Sequence, residues 1–372
     1  MVSVRPVVSN KDLKAFVSLP KRIYQNNSRW VSPLWGDEMK AYQPKHNPFL
    51  QHSPHILFLA EESGIAVGRL LAYVDSDFNR YYGANTGFFG AFEALDSPDV
   101  WAALFQEAET WFRTNGVDAV RGPINPVAEH WGILISGFEE DPVFMSPYNP
   151  EYYLRAVESA GYAKAKDLLA YVADVAAGYR VPERFSGFRE RFLSRNPGFS
   201  LRRFDLRNLK RDSEYIWMLS NETFKDNWGY VPVGKDVMED MIRRLKPIAD
   251  PGAVWFVEDE GEPVAFCLGY PDVNPLIKRI GGKLFPFGFV SFFTGLKALR
   301  RYRLFGLGVL EKYRGKGLDV LLYTQLQEAL AAKRVYMEAN YILEDNANIR
   351  NALEKLGMEL RKTYRVFEKR LF

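Results

Sequence analysis

The chain has 372 residues, and at ~100–200 residues per domain that length predicts two domains, each able to bury its own core. Its 47% hydrophobic and 26% charged residues are those of an ordinary folded protein, which excludes collagen-like, coiled-coil and wholly disordered chains. With 49 Lys and Arg against 46 Asp and Glu the formal charge is only +3, so no nucleic-acid partner is expected and any basic function is local.

Taken from the N-terminus, Met1–Asn10 lacks the apolar core of a signal peptide, and no run approaches the ~20 apolar residues of a membrane span, so a cytoplasmic protein is expected. Residues 56–68 are two apolar runs about the turn Glu61-Glu62-Ser63-Gly64, a β-hairpin. Helices are expected over 98–115 and 150–160, with Gly161 at the C-terminal cap of the second and a strand over 168–172. Between the helices lies a long connection, 125–150, containing proline, glycine, aromatic residues and His130. A linker at 177–183 and a short charged helical stretch at 184–195 come next. The order then resumes with a strand at 200–204, helices at 213–224 and 235–245, and a hairpin over 254–265. After it come a strand at 303–310, a helix at 318–332, a strand at 335–341, a helix at 346–356 and a last strand at 363–367. Cys267, the one cysteine, lies in the second hairpin's apolar run, so there is neither a disulfide framework nor a cysteine-based zinc site, and a reducing compartment fits.

The two halves repeat one another. Acidic, glycine-containing hairpin turns sit at Gly64 and Gly261, and helices close at Glu158-Ser159-Ala160-Gly161-Tyr162 and Glu354-Lys355-Leu356-Gly357-Met358. The spacing from hairpin glycine to cap glycine is 97 residues in the first half and 96 in the second. Two copies of one α/β (α+β) unit are therefore expected, over 1–180 and 198–372, each a mixed sheet flanked by helices.

The most informative stretch is Gly308-Val309-Leu310-Glu311-Lys312-Tyr313-Arg314-Gly315-Lys316-Gly317-Leu318. A strand here enters a helix through a basic turn whose glycines expose backbone N–H groups at the helix start, a place for a pyrophosphate. An ordinary strand-to-helix turn with solvated lysines is the plainer reading. The run lacks the Gly-Lys-Ser/Thr of a Walker loop and the three-glycine dinucleotide spacing. At Lys312-Tyr313-Arg314-Gly315-Lys316-Gly317 the sequence resembles the acyl-CoA loop, Arg/Gln-x-x-Gly-x-Gly/Ala, of the GNAT superfamily of N-acyltransferases, with Lys312 as a conservative departure. The family's next motif is matched by Asn346 through Glu354-Lys355-Leu356-Gly357-Met358. The resemblance implies two tandem GNAT-like domains with mostly antiparallel sheets, and acetyl-CoA or a longer acyl-CoA as co-substrate. It implies pyrophosphate binding by Arg314–Leu318, pantetheine pairing by Gly308, Val309 and Leu310, and a cofactor contact from Asn346. The position where many relatives carry a proton-donating tyrosine is Leu353. In the first half the matching turn, Phe92–Asp99, has no glycine and three acidic residues, so acyl-CoA is expected in the second half alone. Arg121–Pro126 and Tyr148–Tyr153 also resemble a group of bacterial tandem GNAT proteins to which some ceramide synthases, acylating sphingoid bases, are similar.

Acyl transfer to an amine needs a base for one proton and donors for the oxyanion. Strand alternation in 335–340 sets Tyr336, Glu338 and Asn340 opposite Val335, Met337 and Ala339, which makes Glu338 a carboxylate in an interior strand. It is the first candidate base, with an ion pair as the competing reading. Glu344 is the second, against a plain helix-capping role. His130 is the other, against a role in fixing loop geometry. No further ligands lie near the remaining histidines, so no metal is expected. Asn125 in the long connection and Asn227, Trp228 and Tyr230 in the second half, where relatives place an acceptor loop, are candidate substrate contacts. The expected function is direct acyl transfer to a primary amine, small or lipid-like. The rivals are a non-catalytic acyl-CoA-binding regulator and a transferase using charged tRNA.

Residues 273–310 contain no acidic residue and seven basic ones, Lys278, Arg279, Lys283, Lys297, Arg300, Arg301 and Arg303. The first half has no such insertion, its corresponding link being 75–85. Five phenylalanines lie between Lys283 and Lys297. Peripheral contact with an anionic membrane through 278–303 or a cover over a long acyl chain is the expectation, and a packed lid that meets no lipid is the competing one.

Overall fold

The computed structural model describes residues 1–126, 130–185 and 187–372. Residues 127–129, within the connection that carries His130, lie outside the described residues. In chain order the strands are β1 (Val2–Pro6), β2 (His55–Glu62), β3 (Ile65–Val74), β4 (Thr86–Ala94), β5 (Ala119–Gly122), β6 (Ile124–Asn125), β7 (His130–Trp131), β8 (Ile133–Ser136) and β9 (Ala163–Asp174). They continue as β10 (Phe199–Arg203), β11 (Val254–Asp259), β12 (Glu262–Pro271), β13 (Arg301–Val309), β14 (Tyr336–Leu343) and β15 (Glu359–Arg370). The fold is α/β (α+β), mixed and mostly antiparallel sheet with helices against it. Among the described residues no helix is long and apolar enough to cross a membrane.

Two compact units form, one of residues 1–168, 274–294 and 362–372, the other of 169–273 and 295–361. These bounds differ from a division at 1–180 and 198–372 because strand partners and cores decide membership. The end of β15 pairs with first-unit strands, Phe367 opposite Gly122 of β5 and Tyr364 opposite Leu134 of β8. Leu169, Tyr171 and Ala173 of β9 are instead buried in the core of the second unit.

In the first unit β1, β2, β3 and β4 are antiparallel neighbours, and β4 runs parallel to β5. The helix Pro98–Thr114 carries Trp101, Leu104, Phe105, Ala108 and Phe112 at helical spacing into the core with Phe89 and Phe92 of β4. In the second unit β10, β11, β12 and β13 are antiparallel neighbours, and β13 runs parallel to β14. The helix Leu318–Leu330 buries Leu321, Leu322, Leu326 and Leu330 there in the same manner.

The repeat extends to details that the sequence does not advertise. Both hairpin turns take left-handed pairs, Ser63-Gly64 at φ 52° and 77° and Glu260-Gly261 at 51° and 86°, the pattern that matches strand twist. Each hairpin has a register shift just before its turn. Gly161 and Gly357, at φ 83° and 76°, each donate a backbone hydrogen bond to the glutamate three residues back, Glu158 and Glu354, at 2.9 Å. Each unit also holds an arginine between two carboxylates. Arg5 reaches Asp12 and Glu61, both at 2.8 Å; Arg202 reaches Asp212 at 3.0 Å and Glu258 at 2.5 Å. Between β12 and β13 the insertion forms two short helices, Asn274–Arg279 and Gly288–Gly295, where the first unit has the single helix Ser76–Tyr82.

Candidate active site

β13 and β14 pair from Arg301 opposite Tyr336 to Leu304 opposite Ala339. There the parallel ladder stops, although β13 runs on to Val309 and β14 to Leu343. On its other edge β13 stays paired with β12, as far as Val309 opposite Ala265. The backbone of Gly306–Val309 therefore has a ladder on one side only, and the two parallel strands part. Phe305 is skipped by the β12 ladder, a bulge of the kind that re-aims side chains beside sites, and it is 44% exposed.

The end of β13 leads into the basic turn. Leu310 N–H donates to Val264 O at 3.0 Å, a 3-10 turn spans Glu311–Tyr313, and Gly315 and Gly317 come after it at φ 76° and 82°. Those angles favour glycine, and a Cβ at Gly315 would meet nothing within 4 Å, so turn geometry alone requires that residue. At Gly317 a Cβ would also come 3.0 Å from the Phe188 ring. The helix that starts at Leu318 has no side-chain cap, so its first amides lack acceptors at the positive end of its dipole. Lys312, Arg314 and Lys316 are exposed, and none makes an ion pair among the described residues. Tyr313 holds the turn in place. Its hydroxyl donates to Asp259 at 2.7 Å, which raises its pKa, and the Lys312 and Lys316 ammonium groups stand 4.8 and 4.7 Å from its ring centroid. Uncapped amides, left-handed glycines and unneutralised cations together fit a pyrophosphate. Gly308 has a different reason to be glycine: a Cβ there would sit 2.2 Å from Thr223 Oγ1, so it admits the helix Leu209–Phe224 against β13.

Glu338 is fully buried on β14, directly before the strands part, and is the ladder partner of Arg303, itself buried. Its Oε1 accepts from Asn340 Nδ2 at 2.7 Å and its Oε2 from the Tyr336 hydroxyl at 3.2 Å. Arg303 Nε donates in turn to Asn340 Oδ1. Val335, Met337 and Ala339 point the other way into the apolar core, as alternation requires. The carboxylate thus sits in a buried polar network whose members come from two strands. By sequence Arg303 belongs to the basic stretch 278–303 expected at a membrane; the structure buries it instead, for which its place in a strand interior was the available signal.

The remaining candidates are spread over both units. In the second, Asn346 caps the helix Ala347–Lys355, its Oδ1 accepting from Ile349 N–H at 3.2 Å, while the Glu344 carbonyl accepts from Arg350 at 2.7 Å. Leu353 is buried in the core, so no hydroxyl stands at that position. Asn227, Trp228 and Tyr230 are half-buried in the turn after the helix Leu209–Phe224. The Tyr230 hydroxyl is tied to Asn221 Oδ1 at 2.7 Å, and Phe224 of the same helix packs beside Gly306 of β13. In the first unit His130 is half-buried and is the ladder partner of Asn125, which donates to the Tyr42 hydroxyl at 3.2 Å. Near them lies a second polar network that sequence reasoning did not foresee. Glu93 accepts from Tyr24 at 2.9 Å and from Tyr153 at 2.7 Å, and burial raises its pKa against the pull of Arg69.

Residues 216–358 match the family model described as the acetyltransferase (GNAT) family. Over 99% of its length the chain is 30% identical to Protein YghO of Escherichia coli (strain K12), covering 95% of that protein. Over its whole length it is 33% identical to the bacterial ceramide synthase of Caulobacter vibrioides (strain NA1000 / CB15N), covering 98% of it. Among solved structures, a tandem GNAT protein from the clavulanic acid biosynthesis pathway shares the fold with a TM-score of 0.59 at 13% identity, over 100% of this chain and 99% of that one. The chain belongs to the GNAT acetyltransferase family, in its tandem form, and acyl transfer is the chemistry of that class.

Proposed function

We propose that the protein is an acyl-CoA-dependent N-acyltransferase that uses its second unit to bind the acyl-CoA and transfers the acyl group directly to a primary amine. The observation that carries this reading is the parting of β13 and β14 beside a strand that ends in an uncapped, cationic helix start. Arg314–Leu318 would hold the pyrophosphate, and the unpaired edge of Gly308–Leu310 would offer its backbone to the pantetheine amides. Glu338 would take the proton that the amine loses as nitrogen bonds to the thioester carbon, with Asn340 and Tyr336 holding its two oxygens. Cleavage of the carbon–sulfur bond leaves a thiolate whose proton must come from a group other than residue 353. Direct transfer fits the only cysteine, buried and with its thiol pushed up to about 12 by that burial, which leaves it a poor nucleophile. A long-chain or lipid amine is the favoured acceptor, supported by the relative that bears the name of a ceramide synthase.

A thermal-shift series with acetyl-, octanoyl- and palmitoyl-CoA tests the reading, because a ligand that binds only the native state raises the unfolding midpoint by mass action. A rise with at least one of them, together with release of CoA only when an amine is added, is expected. No rise with any would overturn the co-substrate assignment. A rise without CoA release from any amine would favour the second reading, an acyl-CoA-binding regulator, which Leu353 supports by putting no proton donor in the core.

A further inference from the structure

We infer that the insertion in the first unit is a membrane-docking device that seats its phenylalanines in the interface of an anionic bilayer. Five large apolar side chains stand in solvent within nine residues: Phe285 is 78% exposed, Phe287 81%, Phe289 40%, Val290 52% and Phe293 50%. Single exposed apolar residues need no explanation, but a run of this kind marks a surface that meets something apolar. Phe292 of the same helix is buried, so the helix is fixed by one face and presents the other.

The base of the device is tied to the body of its unit. Asn274 Nδ2 donates to Pro142 O at 2.9 Å, Trp35 N–H to Gly282 O at 3.0 Å, Trp35 Nε1 to Gly281 O at 3.1 Å, and the Lys278 ammonium to Ser28 O. At Gly282 a Cβ would come 2.2 Å from Pro33 O, so the chain is also closely packed there. A segment anchored this way holds its phenylalanines out at little further entropic cost on docking.

Charge selects the partner. The stretch 273–310 has no carboxylate, and Arg279 and Lys283 are exposed without an ion pair among the described residues. Apolar rings flanked by free cations complement a lipid surface with anionic headgroups, where the rings enter the acyl boundary and the cations meet phosphate. No helix among the described residues is long enough to cross, so the contact is peripheral.

The test reads vesicle binding and needs no turnover, so it stands or falls apart from the acyl-transfer reading. The full chain is co-sedimented with vesicles of phosphatidylcholine alone and of phosphatidylcholine with one-third phosphatidylglycerol, at low and high salt. Binding to the anionic vesicles that weakens with salt is expected. The pair Phe285→Ser with Phe287→Ser should lower partitioning by roughly 100-fold, since two rings no longer leave water. Arg279→Glu with Lys283→Glu should lower it by roughly 25-fold or more on the anionic vesicles alone. Both pairs change exposed side chains, and an unchanged unfolding midpoint confirms that they fold. Equal binding to both vesicle types, no binding to either, or variants that bind like wild type would overturn the inference. A wild type that ignores vesicles but dimerises, with the phenylalanine variants monomeric, would show that a second copy covers the patch instead.

Discussion

The two units keep the same frame and differ at the ends of β4 and β13. Both have the left-handed hairpin pair, the shifted register before it, the helix closed by a left-handed glycine and the arginine between two carboxylates. β13 carries an exposed phenylalanine at its bulge and leads from Val309 into a cationic turn with two left-handed glycines. The first unit closes the same place. Counted from the first pair of each parallel ladder, Phe305 corresponds to Gly90, and a Cβ on Gly90 would fall 2.3 Å from Ile124 O, so the unit's own backbone occupies that space. Its turn is Leu95-Asp96-Ser97, Asp96 is paired with Arg155 at 2.9 Å, and Asp99 lies in the first helical turn. Packing makes the two frames agree, because every core residue has many partners, whereas a turn rests on a few residues and differs freely.

The comparison is broken most directly at Glu338. Glu338→Gln keeps shape, holds the Asn340 bond through its amide oxygen and turns its amide NH2 to the Tyr336 hydroxyl as acceptor, and should lower turnover by ~10²–10⁴-fold with little change in the acyl-CoA thermal shift. Unchanged turnover would make the network structural and turn attention to His130. Gly315→Asp should abolish the acyl-CoA shift in a protein that still folds, because the position is open and the cost of a left-handed aspartate is about 1–2 kcal/mol. Asp96→Ala with Asp99→Ala in the first unit should create no second acyl-CoA site, since charge is not what closes it. If isothermal titration finds two equivalents bound in that variant, the packed-shut reading of the first unit is wrong.

The stability of the two frames can be compared next. Arg202→Ala takes one of two arginines from the buried Asp212, which keeps Arg211 and the Asp205 N–H, and should cost about 1.5–3 kcal/mol in denaturant unfolding. Gly90→Ala presses on backbone and should cost about 1–3 kcal/mol. Gly306→Ala, where the nearest atom to a Cβ is 3.5 Å away on Phe224, should be tolerated. Similar losses at the two glycines would mean that the first unit is no more closed than the second.

The smallest effect is a pH dependence. Hydrogen bonds from Arg5 hold Asp12 and Glu61 below the usual carboxylate range. A depressed folded pKa means that the unfolded chain binds protons first, so this contribution is full above the ordinary values of about 4, starts to fade there and is lost as pH falls on through the depressed folded values. The midpoint difference between wild type and Arg5→Met should therefore be largest near neutrality and shrink in acid. A difference that grows in acid would contradict the assignment.

The sequence by itself determined the repeat and, from residue 56 on, most of the order of strands and helices, and its motifs at 312–317 and 346–358 carried the resemblance to the family. The repeat and the elements rest on local rules: alternation, helical spacing, and glycines at turns and caps that other residues enter only with strain. It also determined the cationic turn at 312–317, whose residues are contiguous. Tertiary structure alone decided unit membership, since β15 pairs with strands hundreds of residues away and no pattern within β15 names its partner. It decided that Gly308 serves helix packing, that Asn346 caps a helix, and that Arg303 is buried beside Glu338, because burial depends on which chains meet. The outward face of the insertion belongs to the same group. In the sequence its phenylalanines fit a membrane contact and a packed lid alike, and only placement of the helix shows Phe292 turned inward and its neighbours left in water.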